Sequence, residues 1–183
     1  MMSKVKSLLK FKLRGEVPTE ELVKAGLKVG KNFNKQDGCL IDYSHCWLIS
    51  IGDNVTFAPR VQVLAHDAST KMHLGYTKIG RVIIGEKTFV GAGSIILPGV
   101  TIGKNVIIGA GSVVSRDIPD NSVAVGSPAS VVDTTKNYIN RQKIKMKDAP
   151  VYPAKGWTIG GGISEGNKQK MNEALKDKIG YVE

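Results

Sequence analysis

Three imidazoles, His45, His66 and His73, are the side chains best suited to proton transfer near neutral pH. They are unequally placed. His66 is followed at once by Asp67, and Asp42, Ser44 and His45 precede it by about one turn of the repeat described below. Histidine and carboxylate in this combination suit general-base chemistry, in which a hydroxyl is deprotonated as its oxygen attacks an electrophilic carbon. No serine or cysteine stands in a recognisable nucleophile context, so a covalent enzyme intermediate has no candidate. Neighbours on a strand face opposite ways, which makes Asp67 a poor partner for His66 unless the chain turns there. Asp67 is left either to fix the adjoining loop or to bind an acceptor. Asp42 or His45 could stand beside His66, to orient its ring or to contact the acceptor. No metal-ligand set is expected: His66 and His73 are separated by a loop and do not form a recognised ligand pair.

The elements that must position these groups follow from a period of six. From Ile84 the chain reads IGEKTF, VGAGSI, ILPGVT, IGKNVI, IGAGSV, VSRDIP. The first place is Ile84, Val90, Ile96, Ile102, Ile108 and Val114, every one β-branched. The second is mostly glycine, and the fifth is small or branched. A hexapeptide repeat of this kind predicts a β-helix, in which three units close one triangular coil. Ile84 should then stack on Ile102, and Val90 on Ile108. Coils stack at roughly 4.8 Å, and each buries its aliphatic plug only against its neighbours, so both ends need caps.

Regular units also run from Ile51 (IGDNVT, FAPRVQ, VLAHDA), but the interval from Ile51 to Ile84 is not a multiple of six. The phase breaks after Val63, so about residues 68–81 must leave the coil as an external loop that starts directly after His66. Residues 39–50, CLIDYSHCWLIS, are an irregular coil. The domain reading is an N-terminal helical cap over 1–28, a repeat β-helix over 29–132, and a C-terminal extension over 133–183 with one amphipathic helix. The cap holds a short helix from Ser3 to Arg14 and a second that Thr19 caps and Gly26 stops. The helix in the extension runs from a Ser164 cap through Lys178 to a stop at Gly180.

Taken together, the IGDNV stretch at 51–55, the VLAHD segment around His66, ILPGVTIG at 96–103, IIGAGSVVSRDIP at 107–119 and VAVGSPASVV at 123–132 resemble the hexapeptide-repeat acyltransferases. The resemblance spans about residues 19 to 132 and is nearest the maltose, galactoside and nodulation sugar O-acetyltransferases. It implies an all-β, left-handed parallel β-helix, a homotrimer with sites at the subunit clefts, and acetyl-CoA as cosubstrate. His66 falls where that family places its catalytic base. Asp42, His45 and Asp67 are the acceptor-binding candidates. Ala92, Ala110, Ser115 and Arg116 fall on positions lining the pantetheine and nucleotide path. Laid without gaps from IGDNV, the family's Asn and Asp acceptor positions are here Gly38 and Cys46, and the basic residue after the G-x-P-A proline is Ser130. The implied activity is direct acetyl transfer to a sugar or saccharide hydroxyl. The alternatives are a small non-sugar acceptor such as serine or an antibiotic, a zinc enzyme of the γ-carbonic anhydrase kind, and a non-catalytic repeat scaffold.

Charge and composition narrow the partners. The chain of 183 residues carries a net +10, divided as +5 over residues 1–31, +1 over 32–131 and +4 over 132–183. The repeat region is therefore nearly neutral between basic flanks. Nucleic acid would want a basic face with interleaved aromatics, and neither flank supplies one. The flanks suit solvated capping segments, coenzyme phosphates or weak contact with an anionic membrane surface. Cys39 and Cys46 do not make a disulfide framework and read as reduced core residues of a cytoplasmic protein.

Overall fold

A computed structural model describes residues 16 to 183. The helix expected at Ser3 to Arg14 lies outside the described residues. From Lys28 onward, extended pairs of residues alternate with tight turns and assemble into three parallel sheets. The first holds β1 (Lys28–Val29), β4 (Ile49–Ile51), β9 (Val82–Ile84) and β12 (Thr101–Ile102). The second holds β2 (Asn34–Lys35), β5 (Thr56–Phe57), β10 (Phe89–Val90) and β13 (Ile107–Ile108), and is extended by the parallel β15 (Ser122–Gly126) and by β16 (Ala129–Thr134), antiparallel to β15. The third holds β3 (Leu40–Ile41), β6 (Gln62–Val63), β11 (Ile95–Ile96) and β14 (Val113–Val114). The chain visits the sheets in rotation, so three short strands make one coil.

The register meets the repeat expectation. Ile84 pairs with Ile102, Val90 with Ile108 and Ile96 with Val114, each pair separated by three units of six. The first-place aliphatics from Ile84 to Val114 are at most 1% exposed. Burying each is worth about 1.5–3 kcal/mol. The fifth places also point inward, and where they are polar they are paired: Thr88 Oγ1 donates to the Gly103 carbonyl at 3.0 Å and Ser94 Oγ to that of Gly109 at 2.9 Å. Second-place glycine is required because coils approach so closely. A Cβ on Gly85 would sit 2.5 Å from the Gly103 backbone.

The first coil is closed by the helix α1 (Thr19–Lys24), whose Leu22 is buried. Its N-cap is Pro18 rather than Thr19. Pro18 has an extended ψ of 141°, and its carbonyl accepts from Glu21 and Leu22 N–H at 3.0 and 3.1 Å. Gly26 follows the helix at φ +111°.

Two coils exceed three units of six, and the last falls two residues short, with Ile108 paired to Ala124 and Ile102 bridged to Ile118. Val29 pairs with Ile51, and Ile51 with Ile84, so both partners lie further along the chain than one regular coil would place them. Four extra residues enter between β3 and β4, and fifteen between β6 and β9. Both insertions leave the same corner, the turn from the third sheet to the first, in successive coils. The longer one is ordered. β7 (His66–Asp67) pairs antiparallel with β8 (Lys78–Ile79), with a 3-10 turn and the short helix α2 (Lys71–Leu74) between them.

Residues 136–183 form a second compact unit. The sequence points to one helix in this region, but two are present: α3 (Thr135–Lys147) and α4 (Glu165–Ala174). Ser164 caps α4 as expected, but the helix stops before Lys178. Its last turn tightens at Leu175 and Lys176, and Tyr181 N–H bonds the Pro150 carbonyl, starting the pairing of Val151–Tyr152 with Tyr181–Val182. The helix α3 escapes sequence reading because its lysines leave no continuous apolar stripe. Among the described residues, no helix is long and apolar enough to cross a membrane.

Candidate active site

The corner that carries both insertions gathers the chemistry. Asp42 follows β3 directly and is 3% exposed. His66 opens the hairpin one coil further on. His66 Nδ1 lies 2.5 Å from Asp42 Oδ2, and the same oxygen accepts the Ala65 N–H at 2.9 Å. Burial by itself pushes the Asp42 carboxyl up. Hydrogen bonds from His66 and from the N–H groups of Ala65 and His45 outweigh it, and the carboxyl lies below its ordinary value. An ionised carboxylate only accepts, so Nδ1 of His66 carries a proton, and in the neutral ring the lone pair is on Nε2. The His66 side chain is 36% exposed over a buried partner, so the pair has one anchored end and one open end.

His45 reaches the same place through the four-residue insertion. Its ring centroid is 5.2 Å from that of His66 and 5.3 Å from that of Trp47, and its Nδ1 is buried with no hydrogen-bond partner among the described residues. One donor atom from each of Asp42, His45 and His66 lies within 4.8 Å of the others. By donor type this trio could ligate a divalent cation, at the expense of the Asp42–His66 bond. His73 sits on α2, outside this cluster. Asp67 is committed to the hairpin. One oxygen accepts the Ser69 N–H at 2.8 Å and the other pairs with Lys78 Nζ at 2.7 Å. Lys78, then the Ser69 contacts, hold its carboxyl down at about 2.

The four donor-side residues do not converge within one chain. Ser115 and Arg116 follow β14, on the same corner as His66 and two strands further along, roughly 10 Å. Ala92 and Ala110 follow β10 and β13 on a different corner, stacked by the bond from Gly111 N–H to the Ala92 carbonyl at 2.8 Å. All four are exposed. Lys78 escaped sequence reading, because its partnership with Asp67 exists only once the excursion folds back as a hairpin. The long excursion shows in the sequence as a phase error and residues 39–50 as an irregular coil, but the corner they share does not.

Comparison with known proteins agrees with the repeat fold. The pattern described as Bacterial transferase hexapeptide (six repeats) matches residues 81–116. Protein CapG of Staphylococcus aureus is 38% identical over 140 residues, which is 73% of this chain and 81% of CapG. Among solved structures, a maltose O-acetyltransferase from Clostridium difficile 630 matches at 45% identity and TM-score 0.53, covering 60% of this chain and 59% of that one. A galactoside acetyltransferase in complex with coenzyme A matches at 33% identity and TM-score 0.56, covering 63% and 58%. The chain belongs to the hexapeptide-repeat acyltransferases, the group whose members include the sugar O-acetyltransferases. These neighbours imply the left-handed form of the parallel β-helix. Several other curated relatives are covered over only about half to two thirds of their length.

Proposed function

We propose that the protein is an acetyl-CoA-dependent O-acetyltransferase acting on a sugar or saccharide hydroxyl, with His66 as general base. The observation that carries this reading is the buried Asp42 carboxylate bonded to Nδ1 of a half-open imidazole. The maltose and galactoside acetyltransferase neighbours, one with coenzyme A bound, support the donor and the acceptor class.

The acceptor hydroxyl approaches Nε2 of His66. As its oxygen bonds to the thioester carbonyl carbon, the proton passes to Nε2, and Asp42 stabilises the resulting imidazolium. Collapse of the tetrahedral intermediate breaks the carbon–sulfur bond. The proton on Nε2 passes to the departing thiolate, which regenerates the neutral ring. No step draws on a metal ion. Ala92 and Ala110 offer small exposed turns along which a pantetheine arm can lie, and Ser115 and Arg116 are placed to meet the coenzyme's polar groups. Because these residues occupy different corners, a complete site needs a neighbouring copy: one subunit gives the His66 corner and the next gives the alanine corner, in a homotrimer.

The test is thiol release from acetyl-CoA with a panel of sugars and nucleotide sugars, run on wild type and His66→Ala together. The variant should keep its oligomeric state and lose at least ~10²-fold in transfer. Near wild-type activity in the variant would remove His66 from the mechanism.

A further inference from the structure

The four-residue insertion that brings His45 to the site also puts an indole on the surface. Trp47 is 54% exposed, although Cys46 before it is fully buried and Ile49 shortly after it is too. The turn Cys46–Leu48 holds it there. Cys46 Sγ lies 3.5 Å from the Ala25 carbonyl and 3.6 Å from that of Leu22, which ties the turn to the capping helix. The helix end is shaped around the same residue: a Cβ on Gly26, at φ +111°, would fall 2.8 Å from Trp47 Cβ. The backbone beneath Trp47 is thus closely fitted while its ring is left in the open.

From that ring the aromatic contacts run inward. Trp47 meets His45 at 5.3 Å and 47°, and His45 meets His66 at 5.2 Å and 44°. An exposed indole therefore lies two ring-to-ring steps from the proposed base, over a separation that one or two sugar rings span. The indole N–H donates to no described residue. A flat apolar face with one free donor at its edge matches a saccharide, whose ring carries an apolar C–H face bordered by hydroxyls.

Resting on the acetyltransferase reading, we propose that Trp47 is the acceptor-stacking platform, a specificity-determining residue that selects saccharides by packing on the C–H face of one sugar ring while a hydroxyl of the same or the next ring reaches His66. Trp47 takes no part in proton transfer, so it governs acceptor affinity and leaves the chemical step alone.

The experiment is steady-state kinetics on wild type, Trp47→Ala, Trp47→Phe and His66→Ala. The acceptors are methyl glucoside, methyl galactoside, maltose and UDP-N-acetylglucosamine, with serine as a non-sugar control. For the best saccharide, Trp47→Ala should raise acceptor KM about 10-fold with kcat and the acetyl-CoA KM unchanged. Trp47→Phe should recover most of the loss. In parallel, the indole N–H resonance of Trp47 in the wild-type protein should move on titration with maltose or the better substrate, while that of Trp157, packed on Tyr152 at 4.6 Å, stays fixed. A rise in the acetyl-CoA KM instead would assign the indole to the coenzyme. Dissociation of the oligomer would assign it to a subunit contact. Either result overturns the proposal, as does an unmoved Trp47 resonance. His66-dependent acetylation of serine, with Trp47→Ala indistinguishable from wild type, would leave acyl transfer standing and remove the saccharide platform.

Discussion

Residues 82–118 and residues 36–81 are built from the same unit and do different work. In the first region the coils from Ile84 to Val114 are three units of six, each first-place aliphatic there stacks on its equivalent, and the turns stay short. In the second, one coil carries four surplus residues and the next carries fifteen, and both surpluses emerge at one corner. The core does not register the difference: Ile41, Ile51 and Val63 are buried like their counterparts further along. The aliphatic stack sets strand pairing regardless of turn length, so a turn can lengthen without disturbing the sheet on either side. A β-helix therefore tolerates a functional site as an insertion. Asp42, His45 and Trp47 lie on or beside one insertion and His66 opens the other, so on the proposed reading the broken coils carry the chemistry and the regular coils are its scaffold.

The sharpest way to break that comparison is Asp42→Asn, which changes the buried group at the corner with almost no change in shape. The amide no longer enforces a protonated Nδ1 on His66, so the base is left in the wrong tautomer. Acetyl transfer should fall by about 10²–10⁴-fold, and unfolding free energy by about 1–3 kcal/mol, because the Ala65 and His45 N–H groups lose a charged acceptor. The sign with pH follows from the direction of the shift. The folded-state Asp42 carboxyl lies below its unfolded value, so its contribution to stability is complete above the unfolded pKa and is lost as pH falls through the folded one. The variant should lack that acid limb in a thermal-denaturation series. If activity survives in Asp42→Asn, the buried pair is scaffold after all and the division between the two regions fails.

A smaller effect is expected at the rim of the long insertion. Asp67 is held at about 2 by Lys78 and Ser69. The ion pair therefore steadies the hairpin above the ordinary carboxylate range and is lost as pH falls through about 2. In Lys78→Ala the carboxyl should rise from about 2 toward its ordinary value without reaching it, because the Ser69 contacts remain, read by carboxyl carbon shifts. The Ser69 amide should exchange faster, while amides in β10 to β14 keep wild-type protection. Faster exchange spreading into those strands would show that the insertion and the scaffold are coupled, contrary to the tolerance argued above.

How much of this could be read from the sequence follows the same division. The six-residue period announced the coil, its register and the buried aliphatics directly, because each inward position repeats a residue type. The phase error after Val63 located the long excursion, and the resemblance around VLAHD picked out His66. The hairpin within the excursion was not legible, since Asp67 and Lys78 stand at opposite ends of it with no strand pattern between them. Nor was the choice between Asp42 and His45. That choice depends on how four surplus residues are folded, and an irregular segment has no period from which to deduce which side chain turns inward. The C-terminal region was misread for a related reason. The polar, lysine-rich α3 forms with few of its side chains buried, and a pattern search built on burial does not see it.

The gentlest test concerns the regular region alone. At one turn of successive coils the backbone adopts a left-handed conformation at Asn32, Asn54, Lys87, Asn105 and Asn121, with φ between 53° and 56°. Asparagine enters this region readily and other branched or long side chains do so at a penalty of about 1 kcal/mol. The asparagines also bond to one another up the coil, Asn32 Nδ2 to Asn54 Oδ1 at 3.0 Å and Asn105 Nδ2 to Asn121 Oδ1 at 2.8 Å. Lys87 interrupts that ladder between Asn54 and Asn105, and its own N–H already makes the expected backbone bond to the Asp53 carbonyl at 2.8 Å. Lys87→Asn should therefore relieve the backbone and join the two halves of the ladder, raising Tm by about 2 °C with kcat and KM unchanged. An unchanged or lowered Tm would mean that solvent-exposed amide ladders add nothing to coil stacking, and that the aliphatic plugs alone hold the regular region in register.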